Sequence, residues 1–394
     1  MRDVVVALAM RTPVGKAPRG TFRQTRPDDL CAAVIRAILE RAPKLEPGRI
    51  GDVIVGCAMP EGEQGMNVGR NVALLAGLPD SVPGMTVNRF CSSGLETINI
   101  GAAEIASGQS DVVLACGAES MSLVPMGGHR YLPNPRMAAE DPDTYLNMGL
   151  TAERVAAEDG IDREEQDRFA YASHKKALAA QAEGKFSDEI VPVTTRVTDE
   201  GGNGKPVERE VVVERDEGPR ADTSPEALAR LRPAFQAGGT VTAGNSSQMS
   251  DGAAAVLLTT PQIAEELELD PLARFIGYSV AGVPPEIMGI GPVHAVPKML
   301  ERAGLGLDRM DVIELNEAFA AQSLAVIKRL KIDRDDDRLN PNGGAIALGH
   351  PLGCTGAKLT ATALHELRRR KGRYALVTMC IGTGMGAAGI FEAV

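Results

Sequence analysis

The stretch Thr86-Val87-Asn88-Arg89-Phe90-Cys91-Ser92-Ser93-Gly94 decides how the chain is read. Apolar and β-prone residues run into Cys91, small residues follow it, and residues 95–106 read as helix. Cys91 therefore falls where a strand ends and a helix begins. Unpaired helix N–H groups and the helix dipole favour a thiolate at such a point. Ser92, Ser93 and Gly94 leave room for a substrate to approach. The ordinary alternative is a small buried cysteine, and on this stretch alone the two readings stand level.

Outward from Cys91 the pattern is strand and helix in alternation. Residues 4–8 read as strand, and Asp28 and Asp29 as caps for a helix over 30–41. Residues 52–56 read as strand, 68–76 as helix and 111–116 as strand. This predicts a largely parallel, buried sheet with helices on its faces. After Gly117 the composition changes. Residues 121–143 are rich in Pro, Gly and Met, 151–183 are helical and charged, and 186–213 carry strand-like pieces around a loop at 199–206. Residues 119–249 thus read as an inserted subdomain, with the first unit (1–118) completed by 250–270, including a strand at 253–258.

A second alternating unit occupies 271–394. It has strand 274–280, helix 293–302, strand 311–315, helix 318–330, a Gly-rich turn 342–349, helix 354–368 and strands 374–380 and 387–391. The halves share a plan: a turn presents Cys91 or His350 at the start of a helix, and a strand bearing Cys116 or Cys380 follows. The layout suggests an internal duplication.

Bulk properties narrow the class. The chain has 394 residues, 44% hydrophobic and 24% charged, which suits a globular protein with more than one domain. A net charge of −10 argues against wrapping nucleic acid or an anionic membrane, though a local basic pocket remains open. Aromatics at 3% and no Trp leave little for stacking on single strands. The six cysteines form no Cys-x-x-Cys pair and no Cys/His cluster with zinc spacing, so a reduced, cytoplasmic, metal-free protein is expected. The N-terminus reads directly as strand without a signal-peptide core, and no apolar run is long enough to span a bilayer.

Two motifs mislead. Gly384-Met385-Gly386-Ala387-Ala388-Gly389 fits G-x-G-x-x-G, but leaves no chain for the βαβ unit and distal acid of a dinucleotide site. Gly204-Lys205 looks like the end of a P-loop, yet Asp199 replaces the first Gly and Pro206 the Ser/Thr that would hold magnesium. A hairpin turn is the better reading there.

Three further stretches carry chemistry. Asn316-Glu317-Ala318-Phe319-Ala320 follows a buried strand, and its plain alternative is a capped helix start. Gly343-Gly344-Ala345-Ile346-Ala347-Leu348-Gly349-His350-Pro351-Leu352-Gly353 holds a histidine close to backbone rather than on a helix face. Cys380-Ile381-Gly382-Thr383-Gly384 places a cysteine at a strand end before glycines that expose N–H groups. Taken with Cys91, and with Gly244-Asn245-Ser246-Ser247-Gln248 and Ser250-Asp251-Gly252-Ala253-Ala254-Ala255, this set resembles the thiolase family in order and separation, over essentially the whole chain.

The resemblance implies an α/β fold of two βαβαβαββ halves layered αβαβα, with an inserted α+β loop domain that holds coenzyme A. It implies a ping-pong exchange among acyl-CoA, CoA and 3-oxoacyl-CoA, with CoA a substrate and no permanently bound cofactor. By resemblance Cys91 is the nucleophile, His350 takes its proton, and Cys380 is the acid/base for the acetyl-CoA enolate. His350 and an Asn316-held water would stabilise the enolate, and the N–H groups of Cys91 and Gly382 the intermediate on sulfur. A Cβ at Gly382 would crowd the reacting carbonyl. Ser247 and Ala243 would lie along the pantetheine, with Met148, Met288, Ala318 and Phe319 lining its tunnel. Arg220, Leu231 and Phe235 would flank the adenine and phosphate end. The family is oligomeric, which implies a homodimer or homotetramer.

Asn147 stands where short-chain biosynthetic thiolases often carry His, so the resemblance leans to degradative 3-ketoacyl-CoA thiolases over acetoacetyl-CoA thiolases. A decarboxylating ketoacyl synthase shares the fold but lacks a cysteine like Cys380. A non-catalytic acyl-CoA or lipid carrier would have no need of Cys91, Asn316, His350 and Cys380 together.

Overall fold

The computed structural model describes residues 2–200 and 205–394. Twelve strands are formed among them: β1 (Val5–Arg11), β2 (Gly15–Lys16), β3 (Ile50–Gly56), β4 (Gly84–Val87), β5 (Val112–Ser120), β6 (Val193–Glu200), β7 (Pro206–Val213), β8 (Ser250–Thr259), β9 (Ala273–Gly282), β10 (Val312–Leu315), β11 (Tyr374–Ile381) and β12 (Met385–Glu392). The first α-helices are α1 (Pro27–Arg41), α2 (Val68–Leu75) and α3 (Ser93–Ser107). The middle of the chain adds α4 (Pro135–Glu140), α5 (Met148–Asp159), α6 (Arg163–Ala182), α7 (Pro225–Ala229) and α8 (Pro261–Glu266). The last third adds α9 (Gly291–Ala303), α10 (Ala320–Leu330), α11 (Ala345–Leu348) and α12 (Thr355–Arg370).

The strand order carries the duplication. In the first half it runs β1-β8-β5-β3-β4; in the second, β9-β12-β11-β10, ending on a parallel bridge between Ile313 and Leu339. Corresponding pairs have the same sense: β3–β5 and β10–β11 are parallel, while β5–β8, β1–β8, β11–β12 and β9–β12 are antiparallel. Two antiparallel residue pairs between β1 and β9 join the halves into one sheet path. The sheet is therefore mixed, not largely parallel. The strand that closes each half folds back beside its neighbour, which the βα rhythm of the sequence does not reveal.

Three apolar cores separate five layers. One lies between α1, α2 and the first half-sheet, a second encloses α3 and α12 between the half-sheets, and a third lies beneath α9 and α10. Strands buried on both sides need continuous apolar runs, and β8 is buried at every residue. In the central layer α3 and α12 meet at their N-terminal ends. A Cβ on Gly94 would lie 2.7 Å from the Ala357 nitrogen, and one on Gly356 would overlap the Leu95 backbone. These glycines let two helix starts, one just after Cys91 and one just after His350, approach backbone to backbone.

Helix α1 starts earlier than the sequence suggests: Pro27 takes its first turn, and Asp28 is buried against Arg26 rather than capping. The helical region after 150 is two helices, broken at Gly160, which takes the left-handed conformation. The segment between β5 and β8 contains α4 to α7 and the β6–β7 hairpin, whose register pairs Glu200 with Pro206. The loop read at 199–206 falls partly on residues 201–204, which lie outside the described residues, as does Met1. This segment is tied to β1 through buried Arg11, whose guanidinium donates to Glu189 at 2.6 Å and to Asp216 at 2.7 and 2.9 Å. Gly384–Gly389 runs along β12 and opens no helix.

Candidate active site

A cavity of about 650 Å³ reaches from the surface to Cys91 and His350. Cys91 sits in a single helical turn, Phe90–Ser92, between β4 and α3, and is 2% exposed. Phe90 before it has φ +42°, a conformation that side chains rarely adopt. Among the described residues seven non-glycine positions have positive φ, and three of them, Phe90, Asn340 and Thr383, lie in the turns that lead to Cys91 and His350 or follow Cys380. At these three positions backbone strain accompanies the turns beside the site, while the other four lie elsewhere.

His350 follows the Gly-rich turn and is buried. Its Nδ1 lies 2.6 Å from Thr355 Oγ1, and that hydroxyl donates to the Pro351 carbonyl at 2.9 Å. With its hydrogen committed, the hydroxyl can only accept from Nδ1–H. The network therefore assigns the proton to Nδ1 and leaves the lone pair on Nε2. The Asn316 amide nitrogen stands 3.3 Å from Nε2. Asn316 does not cap α10, whose N-cap is Phe319, so the side chain is free for the site. Asn316 Oδ1 is buried without a protein partner. Glu317 anchors the Gly-rich turn, accepting from Ser173 Oγ at 2.6 Å, Asn340 Nδ2 at 2.8 Å and the Ile346 N–H at 3.3 Å. A Cβ on Gly344 would overlap its carboxyl, which explains that glycine.

Cys380, Gly382 and Asn316 lie immediately behind the cavity wall rather than on it. Cys380 ends β11 fully buried, packed with Met288, Ala318 and Phe319, and its thiol is near enough to Cys91 to be influenced by it. The Gly382 N–H and the N–H of Cys91 itself point at the Cys91 sulfur. A Cβ on Gly382 would meet no protein atom closer than Phe90 at 3.8 Å, so the protein leaves this space free for whatever binds at Cys91. Gly384 is different: with φ +84° and the Val283 carbonyl against it, only glycine fits.

Burial dominates the electrostatics. It pushes the Cys91 thiol up to about 12, against the pull of the two N–H groups. It pushes His350 down to about 3, helped by the positive charge of buried Lys358 on α12. Burial also raises Cys380. The helix start alone does not yield a resting thiolate, contrary to the expectation from sequence. The resting pair is a neutral thiol and a neutral imidazole.

The residues expected along a CoA chain, Met148, Arg220, Leu231, Phe235, Ala243, Ser247, Met288, Ala318 and Phe319, all line this cavity. The Ser247 N–H donates to the Ala318 carbonyl at 2.9 Å, and Ser246 bridges to Phe319, stitching the end of the inserted segment to the Asn316 loop. Leu231 and Phe235 are part-exposed at the mouth, with the Arg220 guanidinium 3.2 Å from Asp222. Sequence reasoning missed Thr355, Glu119 and His174. Glu119 accepts from the N–H groups of Ala58 at 2.7 Å and Gly353 at 2.8 Å, binding the two halves behind Cys91. Thr355 is discoverable as a hydroxyl five residues after His350, at the start of the next helix; a lone acid and a lone helical histidine give no signal. Among the described residues no group of His, Cys, Asp or Glu is arranged to hold a metal, and no helix is long and apolar enough to cross a membrane.

The N-terminal domain of thiolase matches residues 4–262 and the C-terminal domain of thiolase residues 269–393. A 3-ketoacyl-CoA thiolase of Bacillus subtilis is 54% identical over 392 residues, covering 100% of both chains. The peroxisomal 3-ketoacyl-CoA thiolase of Homo sapiens is 48% identical, covering 99% of this chain and 91% of that one. The crystal structure of the Bacillus anthracis acetyl-CoA acetyltransferase superposes with a TM-score of 0.89 at 41% identity, covering 100% of this chain and 99% of that one.

Proposed function

The chain belongs to the thiolase family, and on that premise we propose that it is a 3-ketoacyl-CoA thiolase acting through an acyl-Cys91 intermediate. The observation that carries the reading is that Cys91 and His350, from distant segments, meet at the inner end of one cavity, with Asn316 beside His350 and Cys380 beside Cys91 just behind its wall.

In thiolysis the Cys91 thiol gives its proton to His350 Nε2, and the thiolate attacks the 3-keto carbon. The N–H groups of Cys91 and Gly382 receive the oxyanion. The C2–C3 bond breaks, and the acetyl-CoA enolate is held by the His350 imidazolium and a water on Asn316 Oδ1. Cys380 protonates C2, and acetyl-CoA leaves. The Cys380 thiolate then takes the proton of incoming CoA, whose sulfur attacks the acyl-Cys91 thioester. Cys91 departs and recovers its proton from His350, which restores the resting state. CoA acts as substrate rather than resident cofactor.

We read 1–118 with 250–270 as the first half, 119–249 as the CoA-holding insertion and 271–394 as the second half, since β8 returns to the first half-sheet between β1 and β5. A homodimer or homotetramer is supported by β4, an edge strand with half-buried Met85 and Val87, and by Met66, 94% exposed. Six buried free cysteines suit a reducing, cytoplasmic setting.

The test is a chain-length series of 3-ketoacyl-CoA substrates with CoA, run in both directions, with mass detection of acyl-Cys91. Cleavage beyond four carbons supports the degradative reading over an acetoacetyl-CoA thiolase. Release of carbon dioxide from a malonyl thioester without thiolysis would make the protein a synthase, and absence of acyl-Cys91 would leave a carrier.

A further inference from the structure

We propose that Glu119 is a positioning residue for the acylation of Cys91: its Oε2 holds the segment behind the nucleophile and the segment after the base at one fixed separation. This rests on the thiolase reading and adds to it a residue outside the reacting set. Glu119 is the penultimate residue of β5 and is buried. Its Oε2 accepts two backbone N–H groups at once, that of Ala58 at 2.7 Å and that of Gly353 at 2.8 Å. Oε1 accepts the Met59 N–H at 3.2 Å and the side-chain amide of Gln64. These four donors fix the carboxyl and offset the cost of burying it. Three of them belong to the first half of the chain. Gly353 belongs to the second, so the bridge at Oε2 crosses between the halves.

Each end of this bridge leads to a reacting side chain. On one side Ala58 packs with Cys91, and its carbonyl accepts the Asn88 side-chain N–H at 3.0 Å. Asn88 Oδ1 in turn accepts the Phe90 N–H at 2.8 Å, at the residue whose φ of +42° turns the chain into Cys91. On the other side Gly353 lies in the single turn Leu352–Cys354, between His350 and the Thr355 hydroxyl that meets its Nδ1. The two segments touch backbone to backbone: a Cβ on Gly353 would stand 2.6 Å from Cys57 Cα and 2.8 Å from Glu119 Oε2. Apolar contact is non-directional, whereas one oxygen shared by two N–H groups fixes their separation. The distance between Cys91 and His350 therefore depends on the length of the Glu119 side chain. Its charge acts differently. Burial raises the Glu119 pKa while the four donors lower it, and negative charge there disfavours a thiolate at Cys91.

The experiment changes length and charge separately. Glu119→Asp keeps the charge but shortens the side chain by one carbon–carbon bond, about 1.5 Å, so one oxygen no longer reaches both Ala58 and Gly353. Glu119→Gln keeps the length and an oxygen for those two N–H groups, but sets an amide nitrogen against the donors of Met59 and Gln64. Asn88→Ala, at an exposed position, cuts the link from Ala58 to Phe90 and leaves Glu119 in place. Acylation of Cys91 by saturating acetyl-CoA is followed in a single turnover by rapid quench and mass detection, with CoA affinity by calorimetry and thermal melting on the same samples. E119D should acylate on the order of 10- to 100-fold more slowly, and N88A about 10-fold more slowly, as for a small misplacement of a reacting pair. CoA affinity should stay within about twofold in both. E119Q, the conservative variant, should melt at a lower temperature yet recover acylation to within about threefold of wild type. Wild-type acylation by the folded fraction of E119D, or by N88A, would make Glu119 merely structural. Slowing of E119Q to the level of E119D would assign the effect to charge or packing, and loss of CoA affinity in step with rate would mean a general distortion of the cavity. Each overturns the proposal, and N88A with E119Q decides it if E119D does not fold. Failure of the thiolase reading is separately visible, because wild type would then form no acyl-Cys91.

Discussion

Replacing Thr355 by Val tests the catalytic geometry most directly. The two side chains are nearly isosteric, so the change removes only the hydroxyl that sits 2.6 Å from His350 Nδ1 and 2.9 Å from the Pro351 carbonyl. With a methyl there, a proton on Nδ1 becomes a buried, unpartnered donor, which costs about 1–3 kcal/mol. The ring escapes by moving its proton to Nε2, where it can no longer accept from Cys91. At about 1.4 kcal/mol per factor of ten, the productive tautomer falls by roughly 10- to 100-fold. The acylation rate of Cys91 should fall by the same factor, measured by rapid quench and mass detection of the acyl-enzyme in a single turnover. Thr355→Ser keeps the hydroxyl and should stay within about threefold of wild type. Thermal melting of both variants separates this from loss of the helix-start bond to Pro351. Wild-type acylation in T355V would refute the tautomer argument. Equal damage in T355S would show that packing, not the hydroxyl, matters at this position.

Other substitutions probe other parts. Cys91→Ala should abolish turnover while CoA still binds by calorimetry, and Cys380→Ser should slow α-proton exchange of acetyl-CoA, read by NMR, more than acyl transfer to Cys91. Gly356→Ala should force α3 and α12 apart, costing about 1–3 kcal/mol by urea unfolding and slowing acylation too, because Cys91 and His350 ride on those helix starts. Asp216→Ala leaves the Arg11 charge half-paired in the interior and should cost about 3–5 kcal/mol. Acid should destabilise the fold through His350. Its folded value is lowered to about 3, so between there and the unfolded value near 6.5 the unfolded chain binds the extra proton. Stability is then full above about pH 6.5 and lost as pH falls through the window, by about 2 kcal/mol at pH 5; His350→Gln should flatten that part of the pH–stability profile.

What the sequence revealed, and what it hid, follows from how each feature is encoded. Cys91, His350 and Cys380 stand out in the sequence because glycines and small residues crowd beside them, and that crowding is local. Asn316 was readable only as part of a motif, since Asn also caps helices; the structure removes the ambiguity by starting α10 four residues later. The antiparallel return of β8 and β12 was invisible, because a strand buried on both faces has the same apolar run whichever way it points. The resting protonation of Cys91 was misjudged for a related reason. The helix start is a property of a few neighbours, whereas desolvation is summed over both half-sheets and cannot be read from the stretch around the cysteine.

The duplication explains why the chemistry sits where it does. Each half-sheet is followed into the central layer by one helix, α3 or α12, and the two come together at their N-terminal ends. The first carries Cys91, the proposed nucleophile, in the turn before it; the second carries at its first residue Thr355, whose hydroxyl meets Nδ1 of His350, the proposed base. Two positive helix ends thus lie side by side next to the inner end of the cavity. That arrangement does little for a neutral thiol, whose energy is set by burial. It acts on the thiolate, the tetrahedral oxyanion and the enolate, the species that carry negative charge during turnover. A site with Cys91 and His350 both neutral at rest therefore spends its electrostatics on intermediates rather than on the free enzyme. A fold that pairs two copies of one helix start is a direct way to build it.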